Sequence, residues 1–181
     1  TTQYQSDDLL DDKEAAARKC GDRLGIKNVH FGRLPDMKLD TLAHTEVNDV
    51  VEEVVNEVEP AVVYTHSPHE VNRDHVEVFE STVVATRPQS GVEAVYAYET
   101  PSSTEWVCGA TEQFTPDRYV DIQGHVDTKV EAFEQYEMER REYPHPRSEK
   151  AIRARATTRG TEAGFTAGEA FSVIVERAVE L

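Results

Sequence analysis

The sequence predicts an α/β fold with a mainly parallel sheet and helices on both of its faces. Three observations predict it. Short apolar runs, such as Ala61-Val62-Val63-Tyr64, read as buried strands. Between them lie stretches with apolar residues at three- and four-residue steps, the period of an amphipathic helix. The two kinds of segment alternate, which is the pattern of a doubly covered parallel sheet.

Taken in order, residues 1–12 are polar and acidic. Asp11 or Asp12 can cap a helix from about Lys13 to Leu24, stopped by Gly25. Lys27 to Gly32 reads as a short strand carrying Val29 and Phe31, followed by a loop over 34–44. Val47, Val50, Val51, Val54, Val55 and Val58 mark the clearest helix, over 46–58, which Glu59 and Pro60 end. A strand at 61–65 and a helix at about 73–86 come next, with a polar loop between them. Strand 27–32 is expected beside strand 61–65, parallel to it, with helix 46–58 as a right-handed crossover. Arg87-Pro88-Gln89-Ser90-Gly91 is a turn, and 92–99 alternates as a strand. Residues 100–115 form a long irregular stretch of the kind that often carries function. A strand at 118–122 and a helix at 126–140 follow. Ser148 caps a helix reaching Arg159, with Gly160 as its stop. The apolar run 170–175 has no assigned state. A single domain over 1–181 is expected.

The chain has 181 residues and a formal charge of −16, from 35 acidic and 19 basic side chains. Such a surface repels nucleic acid and anionic membrane, and neither is an expected partner. Only six of the cations are lysines, a balance that suits high salt, where self-repulsion is screened. Cys20 and Cys108 form no CxxC pair, which fits a reducing, cytoplasmic setting. No apolar run is long enough for a membrane span, and no signal peptide opens the sequence.

The chemistry concentrates in Tyr64-Thr65-His66-Ser67-Pro68-His69-Glu70-Val71-Asn72-Arg73-Asp74-His75. Three histidines and two carboxylates fall on one strand-to-helix loop, where open α/β sheets bind ligands. His75 reads either as a metal ligand or as a helix-capping histidine. His66 and His69 either complete a metal site with His75 or Asp74, or line a pocket. The pocket reading is preferred, because their spacing matches no standard metal motif. Glu105 and Trp106 read as sugar-binding or as a buried anchor. His145 and Arg147 read as a pocket rim for an anionic group, or as a helix-start segment with Arg147 ion-paired. The glutamates at 131, 134, 137 and 139 read as a solvated helix face, as do those at 46, 52, 53 and 57.

Several pieces, in this order, resemble the PIG-L/LmbE-like family of zinc-dependent N-deacetylases. They are Leu24-Gly25-Ile26, Glu59-Pro60-Ala61-Val62-Val63, Asn72-Arg73-Asp74-His75, Ser102-Ser103-Thr104-Glu105-Trp106, Tyr119-Val120-Asp121-Ile122, Pro144-His145-Pro146-Arg147-Ser148 and Glu169-Ala170-Phe171. The resemblance spans about residues 13–178. It implies a Rossmann-like three-layer sandwich and a homo-oligomeric hydrolase that removes an acetyl group from an amino sugar or its glycoconjugate. It implies His75 as a zinc ligand and Asp74 as the aspartate beside it. Asn72 stands where many members have an oxyanion-stabilising histidine; it can donate a hydrogen bond but not a proton. Glu70 stands where related branches usually have aspartate. The family's His-Pro-Asp-Asp motif, with two further ligands and the base, does not occur in the sequence. The first strand and helix are therefore expected to be missing with it. The alternative is a non-catalytic carbohydrate-binding or assembly subunit with an incomplete metal site.

Overall fold

A computed structural model describes residues 7–109 and 112–177. It divides the chain into two compact units. One comprises residues up to Phe31 together with Tyr119–Glu169; the other comprises Gly32–Arg118 and the chain from Ala170 onward.

The second unit is built around a helix pair on one face of a sheet. The valine pattern becomes α2, His44–Val58, and the helix after the His-rich loop becomes α3, Arg73–Ala85. Glu59 closes α2 in the left-handed region, with φ 47°, and its N–H bonds the Val55 carbonyl. Pro60 then forbids further helix. Strand β1, Val62–His66, runs parallel to β2, Ala94–Tyr98, pairing Val62 with Ala94 and His66 with Tyr98. Val55, Ala85, Val92 and Val95 form the core between helices and sheet, with Val51, Val63, Ile174 and Val175 against them. Val95 is fully buried; removing such a side chain from water contributes about 1.5–3 kcal/mol. On the opposite face Tyr64 packs against Tyr96 and Phe171, ring centroids 5.4 and 5.1 Å away.

The unassigned run 170–175 is strand β4, Gly168–Glu176, antiparallel to β2. Periodicity could not show this, because residues of both of its faces are apolar. With β3, Arg118–Asp121, the strand order is β1-β2-β4-β3. The sheet is open and not wholly parallel.

The expected strand at 27–32 does not form, so β1 has no neighbour there; its partner is β2. The apolar side chains that suggested a strand are used otherwise. Val29 lies against Gly21 of α1, Asp7–Leu24, and the Arg18 guanidinium stands 4.8 Å over the Phe31 ring.

In the first unit, α4 runs only from Val126 to Phe133, not to residue 140; a short 3-10 turn over Glu137–Glu139 follows. Carboxylates at 131, 134, 137 and 139 crowd what would be the negative end of a longer helix, which disfavours extension. Ser148 caps α5, Glu149–Glu162, as its Oγ accepts the Ala151 N–H at 3.2 Å. Gly160 does not stop α5. A Cβ at Gly160 would lie 2.7–2.8 Å from backbone atoms of Ala167, so glycine is required for that close approach. Ile122, Ala156 and Ala167 form the small core of this unit, with Val126 against them.

Candidate active site

The His-rich loop links the carboxyl end of β1 to the start of α3 and lies wholly within the second unit. Its turns are tied internally. Ser67, fully buried, accepts the His69 N–H at 3.1 Å. Asn72 caps α3, its Oδ1 accepting the Asp74 N–H at 3.0 Å. That bond orients the carboxamide.

His66 and His75 come together although they are nine positions apart in the chain. Their rings stack with centroids 4.0 Å apart and planes within 8°. His66 is flanked by Thr100 Oγ1, 3.4 Å from Nδ1, and by the Tyr98 hydroxyl, 3.4 Å from Nε2. Burial, helped by the neighbouring His75, pushes its pKa from 6.5 down to about 4, so His66 is neutral near pH 7. Burial likewise pushes the Tyr98 hydroxyl up to about 12, and the Glu70 charge adds to the effect.

Glu70 is the residue to which the sequence assigned no role. Its side chain is fully buried. Oε2 lies 3.3 Å from His75 Nδ1, and Oε1 accepts the Thr104 hydroxyl at 2.7 Å. Burial alone would raise its pKa. Hydrogen bonds from His75, Ser103 and Thr104 outweigh that and hold it below the usual carboxylate range. An anionic Glu70 keeps the proton of His75 on Nδ1, which leaves the Nε2 lone pair for a ligand. The sequence marked it only as an acidic residue in a dense polar loop, at a position where related branches usually have aspartate.

His66, Glu70 and His75 are among the residues that could hold a metal: their ligating atoms all lie within 4.8 Å of one another. Two imidazoles and a carboxylate are a donor set that suits zinc. The resemblance in the sequence implies a single ligand here, His75; the geometry brings three donors together.

Other candidates fall as follows. Asp74 accepts the backbone N–H groups of Met37 and Leu39 at 2.6 and 3.1 Å. Glu105 and Trp106 sit on the 3-10 turn Thr104–Trp106, whose first residue bonds Glu70; Trp106 is about half exposed. His69 Nε2 is 3.7 Å from Glu112. His145 and Arg147 belong to the first unit. There His145 Nδ1 accepts the Arg147 N–H at 3.1 Å, and Arg147 is ion-paired with Glu139. Among the described residues, no helix is long and apolar enough to cross a membrane.

None of the curated proteins matches the sequence. Three solved structures share the fold at low identity. The 4-carboxy-2-hydroxymuconate hydratase GalB of Pseudomonas putida aligns with TM-score 0.72 and 19% identity, over 100% of this chain and 78% of its own. A conserved protein of Thermus thermophilus aligns with TM-score 0.70 and 17% identity, over 94% and 76%. The N,N'-diacetylchitobiose deacetylase of Pyrococcus horikoshii aligns with TM-score 0.65 and 18% identity, over 96% and 67%. The family model described as PIG-L: GlcNAc-PI de-N-acetylase matches residues 2–86. The stretch that carries His66, Glu70 and His75 lies within the residues this family model matches, the same family that the motifs in the sequence resemble.

Proposed function

We propose that this chain is a zinc-dependent hydrolase that removes the N-acetyl group from an amino sugar or its glycoconjugate. The observation that carries the reading is the Glu70–His75 pair, in which a buried carboxylate bonds Nδ1 and leaves Nε2 for a metal. The family model over residues 2–86 supports the same activity.

His75 would hold the zinc through Nε2, with His66 a further donor of the group, while Glu70 stays on Nδ1. Zinc bound there would supply an activated water and polarise the acetyl carbonyl. The remaining work falls to the chain's own groups. Glu70 fixes the His75 ring and its tautomer. The Asn72 carboxamide donates a hydrogen bond to the oxygen on which charge develops, and its cap bond to Asp74 has already fixed its orientation. Neutral His66 covers one face of His75 and keeps water from it. Glu105 and Trp106 offer a carboxylate and an indole face to a pyranose.

Acetate release from N-acetylglucosamine conjugates, with bound zinc measured in parallel, tests the proposal. His75→Ala should lose both activity and zinc while staying folded. Asn72→Ala should keep zinc and lose about 100- to 1,000-fold in kcat, as expected for one oxyanion donor. Full activity and full zinc in His75→Ala would overturn the mechanism.

A further inference from the structure

Asp74 immediately precedes His75, yet its carboxylate is turned toward another part of the chain. One oxygen accepts the Met37 N–H at 2.6 Å and the other accepts the Leu39 N–H at 3.1 Å. Both donors are backbone amides some 35 residues upstream, and amides do not pass protons at neutral pH. The turn they belong to needs outside support. Met37 sits in the left-handed region, with φ 57°, as does Arg33, with φ 52°. Neither residue is of a type that adopts that region readily. Leu39 is buried, whereas the Met37 side chain is largely exposed. Asp74 itself is held in turn, because its N–H is taken by the Asn72 carboxamide. Cap residue, carboxylate and upstream turn thus form one connected chain of bonds beside His75.

We infer that Asp74 is a positioning residue and not a proton carrier. It pins the 37–39 turn to the first turn of α3, so that the exposed Met37 side chain stands beside the site and meets the bound substrate. Glu70 plays the matching part on the other side, tying the 100–104 segment to the same loop through Thr104. The substrate-facing part of this inference rests on the function proposed above; the clamp itself does not.

The test compares wild type, Asp74→Asn, Asp74→Ala and Met37→Ala in three measurements: amide hydrogen exchange, zinc content, and kcat and KM for an N-acetylglucosamine conjugate. In Asp74→Ala, exchange at the Met37 and Leu39 amides should speed up by roughly tenfold or more, with zinc content unchanged. Asp74→Asn keeps one carbonyl acceptor and should fall between it and wild type. KM should rise by roughly five- to tenfold in Asp74→Ala with kcat within about threefold. Met37→Ala should show the same KM change with Leu39 exchange unchanged. Two results would overturn the inference. One is unchanged exchange at both amides in Asp74→Ala. The other is a kcat loss of roughly a hundredfold or more in Asp74→Asn with exchange preserved. If the wild-type protein releases no acetate, the proposed function fails, and the exchange data still decide whether the clamp exists.

Discussion

Acidification should act on this fold first through His66. The ring is stacked on His75 and enclosed by Tyr98 and Thr100. Burial first, and then the charge of His75, lower its pKa from 6.5 to about 4, against a smaller opposing pull from Glu70. The sign follows from proton binding. Below pH 6.5 the unfolded chain takes up a proton at this position, and the folded chain does not until the pH approaches 4. The stability associated with neutral His66 is therefore complete above 6.5 and is lost as the pH falls toward 4. At ~1.4 kcal/mol per pKa unit, the full interval amounts to about 3 kcal/mol, an upper figure because the ring keeps some contact with solvent. The measurement is urea unfolding of the metal-free protein at fixed ionic strength, for wild type and His66→Gln. Between about pH 6.5 and 5 the wild type should lose about 2 kcal/mol more than the variant. Below the ordinary glutamate value of 4.5, Glu70 adds a loss of the same sign, because its folded pKa is also lowered. The upper part of the window therefore belongs to His66. Parallel curves for the two proteins above pH 5 would refute the argument.

Gly160→Ala should destabilise the first unit by about 1–3 kcal/mol despite alanine's better helix propensity. The new Cβ would meet the Ala167 backbone at 2.7–2.8 Å, and backbone in a turn yields poorly. A melting temperature equal to or above wild type would contradict this. The charge of −16 predicts a melting temperature that climbs on going from low to molar potassium chloride. A flat or falling trend would remove the case for salt adaptation.

What the sequence determined by itself was local. The valine spacing of α2 is a property of residues 47–58 alone, and the helix forms where the spacing placed it. The caps at Asn72 and Ser148 are bonds between near neighbours, and the Ser148 cap was legible for that reason. The concentration of His66, Glu70, Asn72, Asp74 and His75 on one strand-to-helix loop was equally plain. The roles of those residues were not, because their partners are distant in the chain. Glu70 is held anionic by His75 on its own loop and also by Ser103 and Thr104, over thirty residues away. Asp74 takes its hydrogen bonds from the amides of Met37 and Leu39, some 35 residues upstream. The same limit explains two of the misread elements. Val29 and Phe31 alternate as a strand would, but Gly21 and Arg18 of α1 hold them instead. Gly160 has the composition of a helix stop, but the helix continues because Ala167 needs the space of a missing side chain. A residue type states what bonds a side chain can make, and only the tertiary structure brings up the partner that decides which one it makes.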